Sequence, residues 1–284
     1  MPSLGHALNE CGSIKLAVAT VVKNPAWRKK EINGIMYYAI PEPPGGDSEL
    51  MITPGKKLLK DCLNATEDFS PDIVHIHGTE YFYGFLSARR LIKYPAVISV
   101  QGIIGECEKV YYGGLSFGEL LRCQEIYDFF LARGIFFERI AWHKRSRAEK
   151  EIIRGNRYFI GRTAWDKKCA LRINPEAVYY HCEELLRVPF YLKKWDYSQA
   201  VRHSIFTAIS YFYPLKGFHW LLRALVLLKK DFNDVSLRVA GPFTIHPRAR
   251  NYVAYLRELI SLLGLSDSVV LLGELDAKDR KSTR

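Results

Sequence analysis

Two short stretches of the sequence point to the fold class. Residues 71–78 are PDIVHIHG, and residues 95–102 are PAVISVQG. Each has a proline, then a nearly continuous apolar run, and then a glycine close to the end of that run. Runs of this kind predict strands that are buried on both faces, as in a parallel sheet. Residues 53–68 and 80–92 have the apolar spacing of helices, so strands and helices alternate along this part of the chain.

The alternation extends in both directions and indicates two domains. Residues 14–22 and 158–160 predict further strands, and a second strand–helix series begins near residue 204. Residues 181–203 show no clear period, which places a domain junction there. We therefore expect an N-terminal domain over residues 1–200 and a C-terminal domain over 201–284. The second series is short for a doubly wound domain, so we expect it to be incomplete.

Composition and charge limit the class of protein. The 284 residues carry 41 Lys and Arg against 30 Asp and Glu, a formal charge of +11 that favours an anionic partner. The sequence has no stretch of 18 apolar residues, no signal peptide and no CxxC pair among its six cysteines. These features predict a cytoplasmic protein with reduced thiols and no zinc site. No RRM, KH or helix-turn-helix signature is present, so nucleic acid is not the expected partner.

The loops that follow the predicted strands are the places to look for a ligand site. Ligands of open α/β sheets bind at the carboxyl ends of the strands, and glycine there lets a ligand approach the backbone. Lys216 precedes Gly217 at the start of a predicted helix over residues 217–230. A lysine and a helix N-terminus at one point would bind a phosphate group. The alternative for Lys216 is a solvent-exposed lysine at a helix start.

Six motifs give the chain a resemblance to a known family. PDIVHIHG, VISVQG, FIGRTAWD, LKGFHWLLRAL, LRVAGP and VVLLGEL occur in the order found in family 4 glycosyltransferases, which have the GT-B fold. The resemblance implies an α/β protein with two Rossmann-like domains facing across a cleft. It implies hexosyl transfer with retention from a nucleotide-sugar donor, bound mainly by the C-terminal domain, to a glycan or lipid-linked acceptor. No metal and no cofactor are expected, and such enzymes often work in polysaccharide biosynthesis at the cytoplasmic face of a membrane.

The resemblance assigns the donor side to the second domain. Lys216 is expected to hold the donor diphosphate and to stabilise the charge on the leaving group, which makes it one of two catalytic candidates. The family usually has an arginine six residues before this lysine, and Ser210 takes that position here. The predicted donor-binding residues are Lys216, Gly217, Ser210 and Gly241.

Gln101 is the other catalytic candidate, because many relatives have a histidine at that position. Glutamine cannot act as a base, but it can exchange hydrogen bonds with hydroxyl groups, or it can cap backbone groups of its own loop. Asp166 has two interpretations as well, a contact with the acceptor or a cap on the following helix. The predicted acceptor-binding residues are His77, Gly78, Gln101, Gly102, Arg162, Thr163 and Asp166.

Two further features bear on activity and location. Residues 138–157 hold seven Arg or Lys against three Glu, a basic amphipathic helix that either rests on anionic lipid or is a solvated face. The family also has a pair of glutamates, E-x7-E, beyond the VVLLGEL motif, and the chain ends at Arg284 before such a pair. The family's first strand with its glycine loop is not found at the N-terminus either. We therefore expect truncation at both ends, with weak or no transferase activity. The alternative function is a non-catalytic, basic, membrane- or partner-binding descendant, peripheral at the inner face of a membrane.

Overall fold

The protein is an α/β protein in which parallel strands alternate with helices. The computed structural model describes residues 2–46, 50–186, 190–192, 196–243 and 250–275. Two compact units divide the chain, one from Met1–Glu106 with Trp142–Leu186, the other from Cys107–Ala141 with Arg187–Arg284. No helix among the described residues is both long enough and apolar enough to cross a membrane.

The first unit contains two sheets. The strands are β1 (Ala17–Val22), β2 (Lys29–Ile32), β3 (Ile35–Pro41), β4 (Val74–His77), β5 (Ala96–Ser99), β6 (Tyr158–Gly161) and β7 (Val178–His181). In one sheet β4, β5, β6 and β7 pair in sequence order, all parallel. In the other sheet β3 is central and pairs with β1 in parallel and with β2 in antiparallel orientation. The helices are α1 (Pro2–Glu10), α2 (Lys56–Phe69), α3 (Gly84–Ala88), α4 (Ile104–Lys109), which runs past Glu106, the second half of α7 (Ile135–Gly155) and α8 (Ala164–Ile173).

The core of the first unit joins both sheets to the helices. Ile40 of β3 packs in one apolar cluster with Leu58 of α2, Ile98 of β5 and Ile153 of α7, all of them buried. Coverage differs among the parallel strands: β5 has no exposed residue, whereas β1, β4 and β7 each have at least one.

The second unit is built on one parallel sheet in the order β8–β9–β10. Its strands are β8 (Ser204–Ala208), β9 (Ser236–Ala240) and β10 (Val269–Gly273); its helices are α5 (Phe117–Arg122), α6 (Ile126–Phe130), the first half of α7, α9 (Phe218–Lys229) and α10 (Arg250–Leu262). Helix α5 packs on α10, and its Glu119 accepts a hydrogen bond from the Tyr255 hydroxyl at 2.6 Å. The segment 107–141 thus covers helices that come more than a hundred residues later.

The structure confirms the predicted alternation and corrects parts of it. The helix expected over residues 80–92 is only the five-residue α3, Gly84–Ala88. The strand expected from residue 14 begins at Ala17. The domain boundary at 200/201 stays a prediction, and the compact units differ from it because they group residues 107–141 with the C-terminal half.

The β2–β3 hairpin was missed, although its turn carries a strong signal. Ile32 pairs with Ile35, so the loop is the dipeptide Asn33-Gly34, and both residues have positive φ, 51° and 77°. This dipeptide is the preferred two-residue hairpin turn. The strand before it, KKEI, is exposed along its whole length and therefore lacks the alternation that marks a half-buried strand.

Helices α3 and α7 approach each other so closely that glycine is required at the contact. A Cβ on Gly155 would lie 2.6 Å from the Ala88 Cβ and 2.8 Å from its Cα. Next to the contact, the Ser87 hydroxyl donates to the Asn156 side-chain oxygen at 2.5 Å, and the Asn156 amide donates to the Gly84 carbonyl at 3.1 Å.

We predict that Gly155→Ala destabilises the protein by about 1–3 kcal/mol, the usual cost of overpacking, because the added methyl group meets backbone that cannot yield. The free energy of unfolding from urea titration measures the effect. Gly118→Ala is the control, since a Cβ there has no heavy atom within 4 Å. Equal stability of the two variants would contradict the packing argument.

Candidate functional site

The predicted phosphate-binding turn lies in the second unit, between β8 and α9. Pro214–Lys216 forms a turn of 3-10 helix, and Gly217 follows in the left-handed conformation with φ 69°. The amides of Lys216 and Gly217 donate within the turn, each at 2.9 Å, to the carbonyls of Tyr213 and Pro214. Helix α9 begins at Phe218, one residue later than predicted. The Phe218 amide therefore opens the first turn, where the helix supplies no acceptor of its own.

A cavity of about 240 Å³ lies beside this turn. It is lined by Ser210, Lys216 and Gly217 together with residues from the end of β8 and the start of α9, which are Thr207, Ala208, Ile209, Phe218 and Leu221. Ser210 and Lys216 are exposed at its rim. The structure therefore brings together three of the four predicted donor-binding residues at the carboxyl end of a strand.

Gly241, the fourth predicted donor-binding residue, is not among the lining residues. Its φ is 127°, and a Cβ there would lie 1.8 Å from the Ile209 carbonyl oxygen. Its amide donates to the Gly273 carbonyl at 2.6 Å. Glycine is required at position 241 because the backbone there lies against Ile209, in the loop after β8. The donor-binding role of Gly241 stays a prediction.

A buried histidine holds the start of α9. His219 contacts the Tyr252 hydroxyl through Nδ1 at 2.8 Å and the Gly113 carbonyl through Nε2 at 3.0 Å. Because a carbonyl only accepts, Nε2 carries the proton and Nδ1 accepts from tyrosine. Burial lowers the pKa of His219, which favours this neutral form. The Trp220 indole also donates to Gly113, at 2.6 Å.

The charge at the turn is positioned by an aromatic ring. The Lys216 Nζ lies 5.6 Å from the centroid of the Tyr213 ring, within the range of a cation–π contact. A lysine held beside a helix N-terminus, at the rim of a cavity, presents two positive features to one anion. Chemically, this arrangement can hold a phosphate or diphosphate group.

Predicted acceptor residues of the first unit lie at one edge of the four-stranded sheet. His77 ends β4, Gly78 follows it, and Gln101 and Gly102 follow β5. Because neighbouring strands are parallel, their carboxyl ends meet at the same edge. Gln101 is exposed, and its side chain makes no hydrogen bond to any residue that the structure describes. The capping interpretation of Gln101 therefore has no support in the structure.

Arg162 follows β6 at the same edge, and its guanidinium already has partners. It forms an ion pair with Glu184 at 3.1 Å, and it lies 3.4 Å from the Gln101 carbonyl oxygen. An anionic ligand would therefore have to share this arginine with Glu184 or replace it.

Thr163 and Asp166 form a capping box at the start of α8. Asp166 thus caps the helix, which was one of its two interpretations from the sequence. The Asp166 carboxylate accepts from the Thr163 amide at 2.9 Å, from the Thr163 hydroxyl at 2.5 Å and from the Tyr179 hydroxyl at 3.0 Å. Burial by itself would raise the pKa of Asp166, but these hydrogen bonds outweigh burial and lower it. Contact of Thr163 and Asp166 with an acceptor stays a prediction.

His75 and His77 lie on one face of β4, as their spacing predicts. Their ring centroids are 4.1 Å apart, and His75 Nε2 lies 2.6 Å from the Ser99 hydroxyl. Burial, with a smaller contribution from His75, lowers the pKa of His77 to about 4. In the described part of the chain, no group of three or more His, Cys, Asp or Glu side chains is placed to hold a metal ion.

Comparisons with known proteins identify the fold. No family model and no curated protein matches the sequence. Among solved structures, sucrose-phosphate synthase from Thermosynechococcus elongatus matches 99% of this chain and 65% of its own, with a TM-score of 0.62 at 15% identity. HepE from Anabaena in complex with UDP-glucose matches 86% of this chain and 57% of its own, with a TM-score of 0.55 at 14% identity.

These likenesses confirm the predicted fold class, the Rossmann-like GT-B fold of glycosyltransferases. The chain spans about two thirds or less of the length of the structures it matches. Membership in family 4 and truncation stay predictions.

We predict that stability falls as the pH is lowered from about 6.5 to 4, in part through His77. Its pKa is about 4 when folded against 6.5 ordinarily, so the unfolded chain takes up the proton first. His77→Gln should reduce the protons taken up on unfolding at pH 5 by about one per molecule. Urea titration at a series of pH values measures this. A His77→Gln variant that keeps the wild-type dependence of stability on pH would contradict this prediction.

Proposed function

We propose that this protein is a glycosyltransferase of the hexosyltransferase type, which uses a nucleotide sugar as its donor substrate. The observation that carries the proposal is the cavity at the end of β8, where Lys216 and the first turn of α9 meet in a protein with the GT-B fold. HepE, which shares the fold, was solved with UDP-glucose and with UDP and glucose. We propose neither a metal nor a separate cofactor, because Lys216 supplies the positive charge.

The cavity suits the diphosphate part of the donor. Pockets for whole small-molecule ligands usually measure about 300–1,000 Å³, so 240 Å³ matches only part of a nucleotide sugar. In the proposed mechanism Lys216 and the Phe218 amide bind the diphosphate, and Ser210 adds a hydroxyl group. As the bond to the sugar breaks, negative charge grows on the leaving phosphate, and a fixed cation stabilises that charge more than it stabilises the ground state.

We place the acceptor, a glycan or a lipid-linked sugar, at the sheet edge of the first unit. His77, Gly78, Gln101 and Gly102 lie there, and Gln101 offers a side chain with both a donor and an acceptor group. Because glutamine cannot take a proton, the leaving phosphate is the proposed base for the acceptor hydroxyl. Attack from the side of the departing phosphate gives retention of configuration, which is part of the proposal.

A second property, binding to an anionic membrane surface, is favoured by one face of α7. Lys144, Arg147, Lys150 and Arg154 are exposed and follow one another at intervals of three or four residues, so they share a face of the helix. The chain as a whole carries a charge of +11. We infer a cytoplasmic protein, peripheral at the inner face of a membrane; a protein that shows only this binding is the alternative function.

Apolar side chains suited to the lipid interface are also exposed. In the second unit, helices α5 and α6 and the residue after them leave seven large side chains between 46% and 81% exposed: Phe117, Leu121, Ile126, Tyr127, Phe129, Phe130 and Leu131. Exposed apolar clusters of this kind mark surfaces that bind a partner or a membrane.

We predict that the protein binds UDP-glucose or a GDP-sugar and that Lys216→Ala weakens the binding about 10- to 100-fold. This is the usual loss for one charged hydrogen bond. Isothermal titration calorimetry measures the dissociation constant. Lys230→Ala is the matched control, since Lys230 caps the opposite end of α9, and it should bind like the wild type. A flat titration of the wild type with both sugars would favour the non-catalytic alternative.

We predict that the protein co-sediments with vesicles that contain phosphatidylserine and not with neutral vesicles. The triple variant K144Q/R147Q/K150Q should bind up to about 100-fold more weakly, at about 1 kcal/mol for each charge near the surface. The matched control is K56Q/K57Q/K60Q, which removes three exposed charges from α2. Equal binding by both triple variants, or no preference for acidic lipid, would contradict the membrane proposal. The basic face of α7 would then be an ordinary solvent-exposed surface.

A further inference from the structure

One buried carboxylate of the first unit belongs to none of the predicted sites. Glu149 lies on the basic helix α7, yet only 1% of its surface is exposed. Its Oε1 accepts a hydrogen bond from the Thr79 hydroxyl at 2.6 Å and one from the Ile104 amide at 3.0 Å. Its Oε2 accepts from the Gly105 amide at 2.8 Å. Three donors from two different loops therefore meet at one side chain.

These two loops are the ones that carry the predicted acceptor residues. Thr79 directly follows Gly78, after β4. Ile104 and Gly105 begin α4, directly after the loop of Gln101 and Gly102. The Thr79 oxygen also lies 3.3 Å from the Gly102 carbonyl, but its single hydrogen goes to the nearer Glu149. Glu149 thereby fixes both loops relative to α7.

The backbone is shaped to reach this carboxylate. A Cβ on Gly105 would lie 2.9 Å from the hydroxyl oxygen of Ser146, one helical turn before Glu149. The same Cβ would lie 3.6 Å from Oε2 of Glu149, an ordinary contact, so the close approach at Gly105 is the one to Ser146. Gly105 therefore allows the start of α4 to lie close to α7, where the Ile104 and Gly105 amides reach Glu149.

A carboxylate is an expensive choice for this position. Burial of a carboxyl group costs free energy that its hydrogen bonds must offset, and an apolar side chain would fill the same space without that cost. Burial raises the pKa of Glu149, and Glu80 in the loop after β4 acts in the same direction, while the three hydrogen bonds act against both. What an apolar residue could not provide is a fixed position for two loops.

We propose that Glu149 is a positioning residue, which holds the Gly78–Thr79 and Gln101–Gly105 loops in fixed register so that they present one surface to the acceptor. The part of this proposal that concerns the acceptor rests on the proposed transferase function. The part that concerns the loops does not, and it can be tested without any substrate.

Hydrogen exchange of the intact protein tests the loops. In Glu149→Gln, which removes the charge and turns one carboxylate oxygen into an amide nitrogen, the amides of Ile104 and Gly105 should exchange about 10- to 100-fold faster, as expected for the loss of a hydrogen bond to a charged group. Thr79→Ser keeps the hydroxyl and should exchange like the wild type. The matched control is Glu151→Gln, on the exposed face of the same helix, where the carboxylate pairs with Arg89. Unchanged exchange, or equal acceleration throughout the unit, would overturn the proposal.

A kinetic measurement tests the acceptor. With UDP-glucose as donor and glucose as the probe acceptor, Glu149→Gln should raise KM for glucose about tenfold and leave the dissociation constant of UDP-glucose unchanged. A purely structural defect would alter both. If the wild type transfers no glucose, the proposed function fails for this acceptor, and the exchange result alone decides whether Glu149 positions the loops.

Discussion

Parallel pairing of strands is the constraint on which the rest of the structure depends. Two parallel strands cannot be joined by a hairpin, so the chain must cross back over the sheet before it enters the next strand. The carboxyl ends of the strands, and the loops that begin there, therefore lie at the same edge of the sheet. In the first unit this gathers the residues after β4, β5 and β6, and in the second unit it places the Lys216 turn at the end of β8. Helices start where strands have just ended, so their unpaired amides point to the same edge. Both candidate ligand sites follow from this geometry.

Within each unit, the loops are fixed by a few buried polar side chains that bind backbone. Asp166 holds the start of α8, Glu149 holds the start of α4, and His219 ties the start of α9 to the Gly113 carbonyl. Each is a titratable group whose charge state suits its partners: the carboxylates accept from amides and hydroxyls, and the neutral imidazole both donates and accepts. A loop restrained in this way loses little further entropy when a ligand binds.

The sequence predicted those parts of the fold whose signals are local. Strands β4, β5, β8, β9 and β10 are apolar runs, and the start of α9 follows a Lys-Gly pair, so these elements were located to within a few residues. The parallel strands β3 and β7 were missed. The helix-capping interpretation of Asp166 also rested on a local signal, because the capping box of Thr163 and Asp166 lies within four residues. The side of the structure on which residues 107–141 pack was not predictable, since Glu119 meets Tyr255 across 136 residues. Glu149 and His219 were missed because a glutamate in a basic helix and a histidine in an apolar helix have no pattern that distinguishes them from their neighbours.

The carbonyl of Gly113 has a consequence for the order of assembly during synthesis. It receives hydrogen bonds from His219 and Trp220, which lie 106 and 107 residues further along the chain. A ribosome adds roughly 5–20 residues per second, so residues 107–141 must wait on the order of ten seconds for the helix they pack against. During this interval the Gly113 carbonyl has neither of these two donors. An early segment of the second unit therefore receives these contacts only from residues that are synthesised much later.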